Sequence, residues 1–253
     1  MSEARPVGTP RLRWFGFDVD TDPLNASEQM AARLAPGELR AILERAGSTD
    51  PAVLADELTR AANGSTAVLD LADSWRFAAV AFHAPSNAAL LDAHARREQT
   101  MYRAVDLALA EPGPIVLMGH DMHLTKASSA VRFSSTSQRV GQSWRTVGTH
   151  VAEKMPGDTF AVFLLTDHGQ HFDVECASGA CDFASKDDTV EHVLAKAGPR
   201  FVLPLRDAPA PFAGEVNWQQ NGRYASGDLE RQADLVYFVA QATPPRPQSG
   251  ERP

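Results

Sequence analysis

Three short apolar runs constrain this chain more than any other feature: IVLM at residues 115–118, TFAVFLL at 159–165 and LVYFVA at 235–240. None alternates apolar with polar residues, so each reads as a buried strand, of the kind found in sheets covered by helices. A further apolar and aromatic run, RLRWFGFDV at 11–19, reads as the first strand and ends in the acidic turn DTDP. The expected architecture is therefore α/β: a largely parallel or mixed sheet flanked by helices, with a long helical insertion between the first two strands. One domain is expected over residues 1–242, followed by a disordered Pro-rich tail at 243–253.

The insertion divides at its punctuating residues. Residues 25–47 read as helix, with Ser27 as a cap, a break at Pro36 and a stop at Gly47. Residues 51–62 follow, with Pro51 suited to a first turn, and 69–83 form a buried helix ended by Pro85. A long helix over 86–110 places Leu90, Arg97, Met101, Val105 and Ala108 near one face. Arg97 thus stands in an apolar stripe. A buried guanidinium is costly unless an acceptor takes its donors, which makes Arg97 either a structural ion-pair partner or a site residue.

In the second half, the Ser/Thr-rich stretch 128–137 reads as a lid or substrate loop, and 140–154 as a helix with Trp144 and Val147 inward. A hairpin is expected over 172–183 around Ser178-Gly179, then a short helix over 188–197. FVLPL at 201–205 reads as a short or edge strand because proline cannot donate to a ladder.

With 43% apolar and 22% charged residues, composition is that of an ordinary globular protein, and a formal net charge of -8 opposes binding to nucleic acid. No apolar run approaches the roughly 20 residues of a bilayer span, and the opening MSEARPVGTP has no signal-peptide core, so the expected location is cytoplasmic. In that compartment Cys176 and Cys181, in CASGAC, are expected as free thiols; a single C-x4-C is a poor zinc pattern.

The 115–118 strand runs into GHDMH. Ligands in open α/β sheets collect beyond the carboxyl ends of strands, where His120, Asp121 and His123 would stand. Histidine can take a proton from water, and arginine can steady a developing oxyanion. His168 and His171 have the same spacing after the 159–165 strand, so four histidines could converge on a metal ion if the two strands were parallel neighbours. Neither pair carries the glutamate or the helical spacing of H-E-x-x-H, and no metal or other cofactor is the leading expectation. Asp18 could orient a histidine or cap the following helix.

Taken in order, GFDVD at 16–20, RREQTM at 96–101, IVLMGHDMHLTK at 115–126, FVLPLRD at 201–207 and ADLVYFVAQATP at 233–244 resemble the erythromycin esterase family. The resemblance implies hydrolysis of a small-molecule carboxylic ester or macrolide lactone by water attack, and the acidic charge and short apolar runs separately argue against a nucleic-acid or membrane partner. It implies His120, His123, Arg97 and Glu98 as the catalytic set, with Asp18, Asp121 and Lys126 contacting substrate. Asp121 and Ala104 stand where the family pattern has asparagine, and no G-E-x-x-H motif occurs in the sequence. In the family that motif is thought to supply the glutamate and histidine that activate water. The chain is therefore expected to be an N-terminally truncated homologue, slow or inactive on erythromycin, with an exposed sheet edge that a second copy could cover.

Overall fold

The computed structural model describes residues 23–81, 86–134, 139–140, 144–172, 180–206, 208, 212, 214–220 and 223–243. They fall into two compact units, Met1–Leu117 and Met118–Pro253. The expected first strand at 11–19, with Asp18, and the tail from residue 244 lie outside the described residues.

The described part of the first unit is helical: α1 (Pro23–Arg33), α2 (Glu38–Glu44), α3 (Pro51–Ala61), α4 (Thr66–Ala81) and α5 (Asn87–Leu109). Its starts are written locally. Asp50 caps α3 by accepting the N–H groups of Ala52 and Val53 at 2.9 and 3.1 Å, ahead of Pro51 at the first helical position. Ser86 caps α5 through the Ala89 N–H. Leu54, Leu58, Leu71 and Trp75 interlock in the core, each fully buried leucine contributing about 2 kcal/mol. Ser27 is not the expected cap. The helix begins earlier, at Pro23, and Ser27 is buried within it, donating to the Pro23 carbonyl at 2.9 Å and accepting the Trp75 Nε1–H at 3.0 Å.

The described residues of the second unit form two four-stranded sheets. One is antiparallel, in the order β2-β1-β7-β6, from β1 (Val131–Ser134), β2 (Arg139–Val140), β6 (Glu215–Gln220) and β7 (Arg223–Asp228). The other is mixed, in the order β4-β3-β8-β5, from β3 (Val162–Phe172), β4 (Ala180–Ala184), β5 (Arg200–Pro204) and β8 (Leu235–Ala242). Its centre, β3 against β8, is parallel, and the outer pairs are antiparallel. Among the described residues, four α-helices accompany the strands: α6 (Asp121–Leu124), α7 (Val147–Lys154), α8 (Val190–Ala197) and α9 (Leu229–Gln232). The class is mixed α/β, as expected.

Several local expectations give way. Residues 115–118 form no regular element, and Val116 and Met118 are 83% and 77% exposed, so this is not a buried strand. A strand needs a neighbour for its N–H and C=O groups, and none of the described residues pairs with this run. The stretch 128–137 is a strand in part, because β1 pairs with β7. The helix expected over 140–154 starts only at Val147, where Thr146 caps it through the Thr149 N–H. β3 continues through DHGQH, so His168 and His171 lie within a strand rather than a loop after one. Cys181 is disulfide-bonded, not a free thiol; Cys176 lies outside the described residues.

The mixed sheet has one covered face. Phe163, Leu165, Val236 and Phe238 are buried, while Val162, Leu164 and Val202 point the other way and are exposed. β5 is an edge strand ending at Pro204, in keeping with its proline.

Candidate active site around His120 and Asp121

After Gly119 the chain enters α6, a single turn with His120 in extended backbone (φ -63°, ψ 136°) at its N-cap. The Met122 N–H is shared: it donates to His120 Nδ1 at 3.2 Å and to Asp121 Oδ1 at 2.9 Å. The two acceptors are themselves 2.9 Å apart. In the tautomer that carries its proton on Nδ1, that proton goes to the Asp121 carboxylate, the Met122 N–H is left to Asp121 Oδ1 alone, and Nε2 presents its lone pair as a base. Exposure suits those roles, with 36% of the His120 side chain open against 16% for Asp121. His123 is buried and closes the turn with its N–H on the His120 carbonyl at 2.9 Å.

The turn is anchored on its C-terminal side. Lys126 Nζ donates to Asp234 Oδ1 at 2.7 Å, and the other carboxylate oxygen accepts the Ala161 N–H at 2.7 Å. Gln232 accepts the Lys126 and Ala127 N–H groups through its backbone and side-chain carbonyls. Thr125, Ser128, Thr146 and Thr149 form a buried hydroxyl network in which each hydroxyl satisfies another. Gly148 lets α7 approach: a Cβ there would overlap the Leu124 carbonyl and sit 2.7 Å from that of Thr125.

A carboxyl that sequence reasoning missed belongs to the same unit. Glu191, in the first turn of α8, is buried; Oε1 accepts the Gln219 N–H of β6 at 2.8 Å. Oε2 is enclosed with no hydrogen-bond partner among the described residues. Burial above all, with a smaller push from the charge of Asp121, raises this carboxyl to about 8, against backbone N–H groups, its own and that of Gln219, that favour the charged form. One sequence signal existed: Glu191 sits beside Val190 and Leu194 on the inward face of α8, as Arg97 does in its stripe.

The other expected residues are placed in their own units. Arg97 and Glu98 are buried on α5 in the first unit, where the Arg97 guanidinium lies 5.0 Å from the centre of the Phe77 ring and Phe77 meets His94 edge-on. His168 Nδ1 faces Asp167 Oδ2 at 2.9 Å on β3. Among the described residues no three His, Cys, Asp or Glu groups are placed to hold a metal ion, so nothing supports convergence of His120, His123, His168 and His171. No described helix is long and apolar enough to cross a membrane.

The family profile described as erythromycin esterase matches residues 4–242. No curated protein sequence matches the chain. Its fold is similar to the crystal structure of a succinoglycan biosynthesis protein, at a TM-score of 0.53 and 12% identity, covering 94% of this chain and 67% of that one. It is also similar to that of a protein from Bacillus cereus, at a TM-score of 0.51 and 12% identity, covering 89% and 60%. The chain thus spans about two thirds or less of the length of these structural neighbours.

Proposed function

Because the chain belongs to the erythromycin esterase family, we propose that it is a carboxylic-ester hydrolase in which His120, oriented by Asp121, takes a proton from the attacking water. The single observation that carries this reading is the 2.9 Å approach of His120 Nδ1 to Asp121 Oδ1, with the ring exposed and the carboxylate screened.

In this mechanism the Nδ1–H donates to the ionised Asp121, and Nε2 removes a proton from water as its oxygen attacks the ester carbonyl. Asp121 stabilises the imidazolium that results. When the tetrahedral intermediate collapses, the C–O bond to the alkoxy group breaks, and Nε2 returns the proton to the leaving oxygen. An acid and an alcohol are released, or one hydroxy acid from a lactone, and the imidazole is again neutral. Asp121 is assigned here to orient His120 rather than to contact substrate. Lys126, engaged with Asp234, supports the turn from below.

The test is a panel of carboxylic esters that includes a macrolide lactone, incubated in H2(18)O and read by mass spectrometry. Direct water attack places one heavy oxygen in the acid product and none in the alcohol. Label in the alcohol, or no hydrolysis of any ester, would rule the reading out.

A further inference from the structure

We propose that the exposed face of the mixed sheet is a self-association surface, on which a second copy of this chain packs face to face in a reversible dimer. The proposal is independent of ester chemistry and concerns the second unit alone.

Strand register builds the surface. Leu164 of β3 stands opposite Tyr237 of β8, and Tyr237 opposite Val202 of β5, so the three side chains form a row across the sheet. Val162, Leu235 and Pro204 form the row on one side of it, and Thr166, Val239 and Arg200 the row on the other. Val162, Leu164 and Val202 are each at least half exposed, while Phe163, Leu165, Val236 and Phe238 of the opposite face are buried. A parallel pair such as β3 and β8 is ordinarily covered on both faces, because its apolar residues point both ways. An apolar platform left in water is a place for association.

Charge selects the occupant. The chain carries a net charge of -8, so two copies repel across most of their surfaces. The three rows hold no carboxylate, and their one charged residue, Arg200 at a corner, is a cation meeting an acidic partner. Two such platforms can therefore meet without repulsion, and two flat faces three strands wide fit each other as the sheets of a sandwich do, by the same patch used twice about a two-fold axis. Size sets the strength. Strands about 4.8 Å apart, each contributing residues 162–166, 200–204 or 235–239 at about 3.3 Å per residue, make a platform of roughly 14 by 16 Å. That is well below the ~800 Å² per partner of a standard interface, so the dimer should dissociate in the micromolar range or above.

The test is sedimentation velocity of the full chain from about 1 to about 200 μM, with circular dichroism at the low end as the check on folding. The wild type should pass from one chain to two as concentration rises. Leu164→Lys sets an unpaired ammonium in the middle of the platform, and Val202→Lys does so from a separate strand; each should raise the dissociation constant at least about tenfold. Below the dissociation constant the face is free, so there both variants should keep the wild-type spectrum and stability. Leu107→Lys is the control: Leu107 is as exposed as Leu164 but lies on α5 of the other unit, and its variant should dimerise like the wild type. A wild type that stays monomeric at every concentration would overturn the proposal and leave the face to another partner. So would a dimer that survives both platform variants, or one that Leu107→Lys weakens equally.

Discussion

A carboxyl held at about 8 in the fold and near 4.5 when unfolded has a definite consequence for stability. Between those values the folded state keeps a proton that the unfolded chain releases, so Glu191 contributes its full stabilisation below about 4.5 and loses it as pH rises towards 8. Relative to Glu191→Gln, the wild type should lose about 3–5 kcal/mol across that window, read as diverging urea midpoints; parallel midpoints would refute it. Arg97 shows how far a single residue could be read. Its place in an apolar stripe was visible from helical spacing, and it is buried, but spacing along one helix cannot show that Phe77 of another will lie under the guanidinium. Ser27 was visible as a small polar residue near a helix start, yet its role depends on Trp75, 48 positions away.

Elements were legible where their signals are local. Pro51 and Ser86 marked helix starts, and Pro204 marked an edge strand, because first-turn preferences and missing donors act within a few residues. The antiparallel sheet was missed, although Asn221-Gly222 stands between VNWQQ and RYASGD in the sequence, a strong two-residue hairpin signal. β1 was hidden differently: its pairing with β7 joins residues about 90 positions apart, and a Ser/Thr-rich surround reads as loop. The run at 115–118 failed for the converse reason, since an apolar composition cannot supply a neighbouring strand. Two predictions follow from element packing. Gly148→Ala would ordinarily stabilise a helix by about 1 kcal/mol, but the overlap with the Leu124 carbonyl should reverse the sign, costing at least about 2 kcal/mol in thermal or urea melts. On β3, Leu165→Ala on the covered face should cost about 2–5 kcal/mol, while Leu164→Thr on the exposed face should change stability by no more than about 0.5 kcal/mol. Equal costs would mean that the exposed face is covered in solution.

At the scale of the whole molecule, the α/β class and the family were readable because the motifs occur in a fixed order along most of the chain, and order survives where single motifs are weak. The site was readable in part. His120, Asp121 and His123 do share one turn, whereas the burial of Glu191 on α8 depends on β6 across the chain, which no motif encodes. Arg97 and Glu98 belong to the other compact unit. The central claim is that His120 is the base of an ester hydrolase, and the direct measurement is kcat/KM for the most rapidly hydrolysed ester with the wild type and with His120→Ala. At matched folding by circular dichroism, the variant should lose about a hundredfold to ten-thousandfold, the usual worth of a positioned general base. Turnover by His120→Ala equal to that of the wild type would contradict the claim.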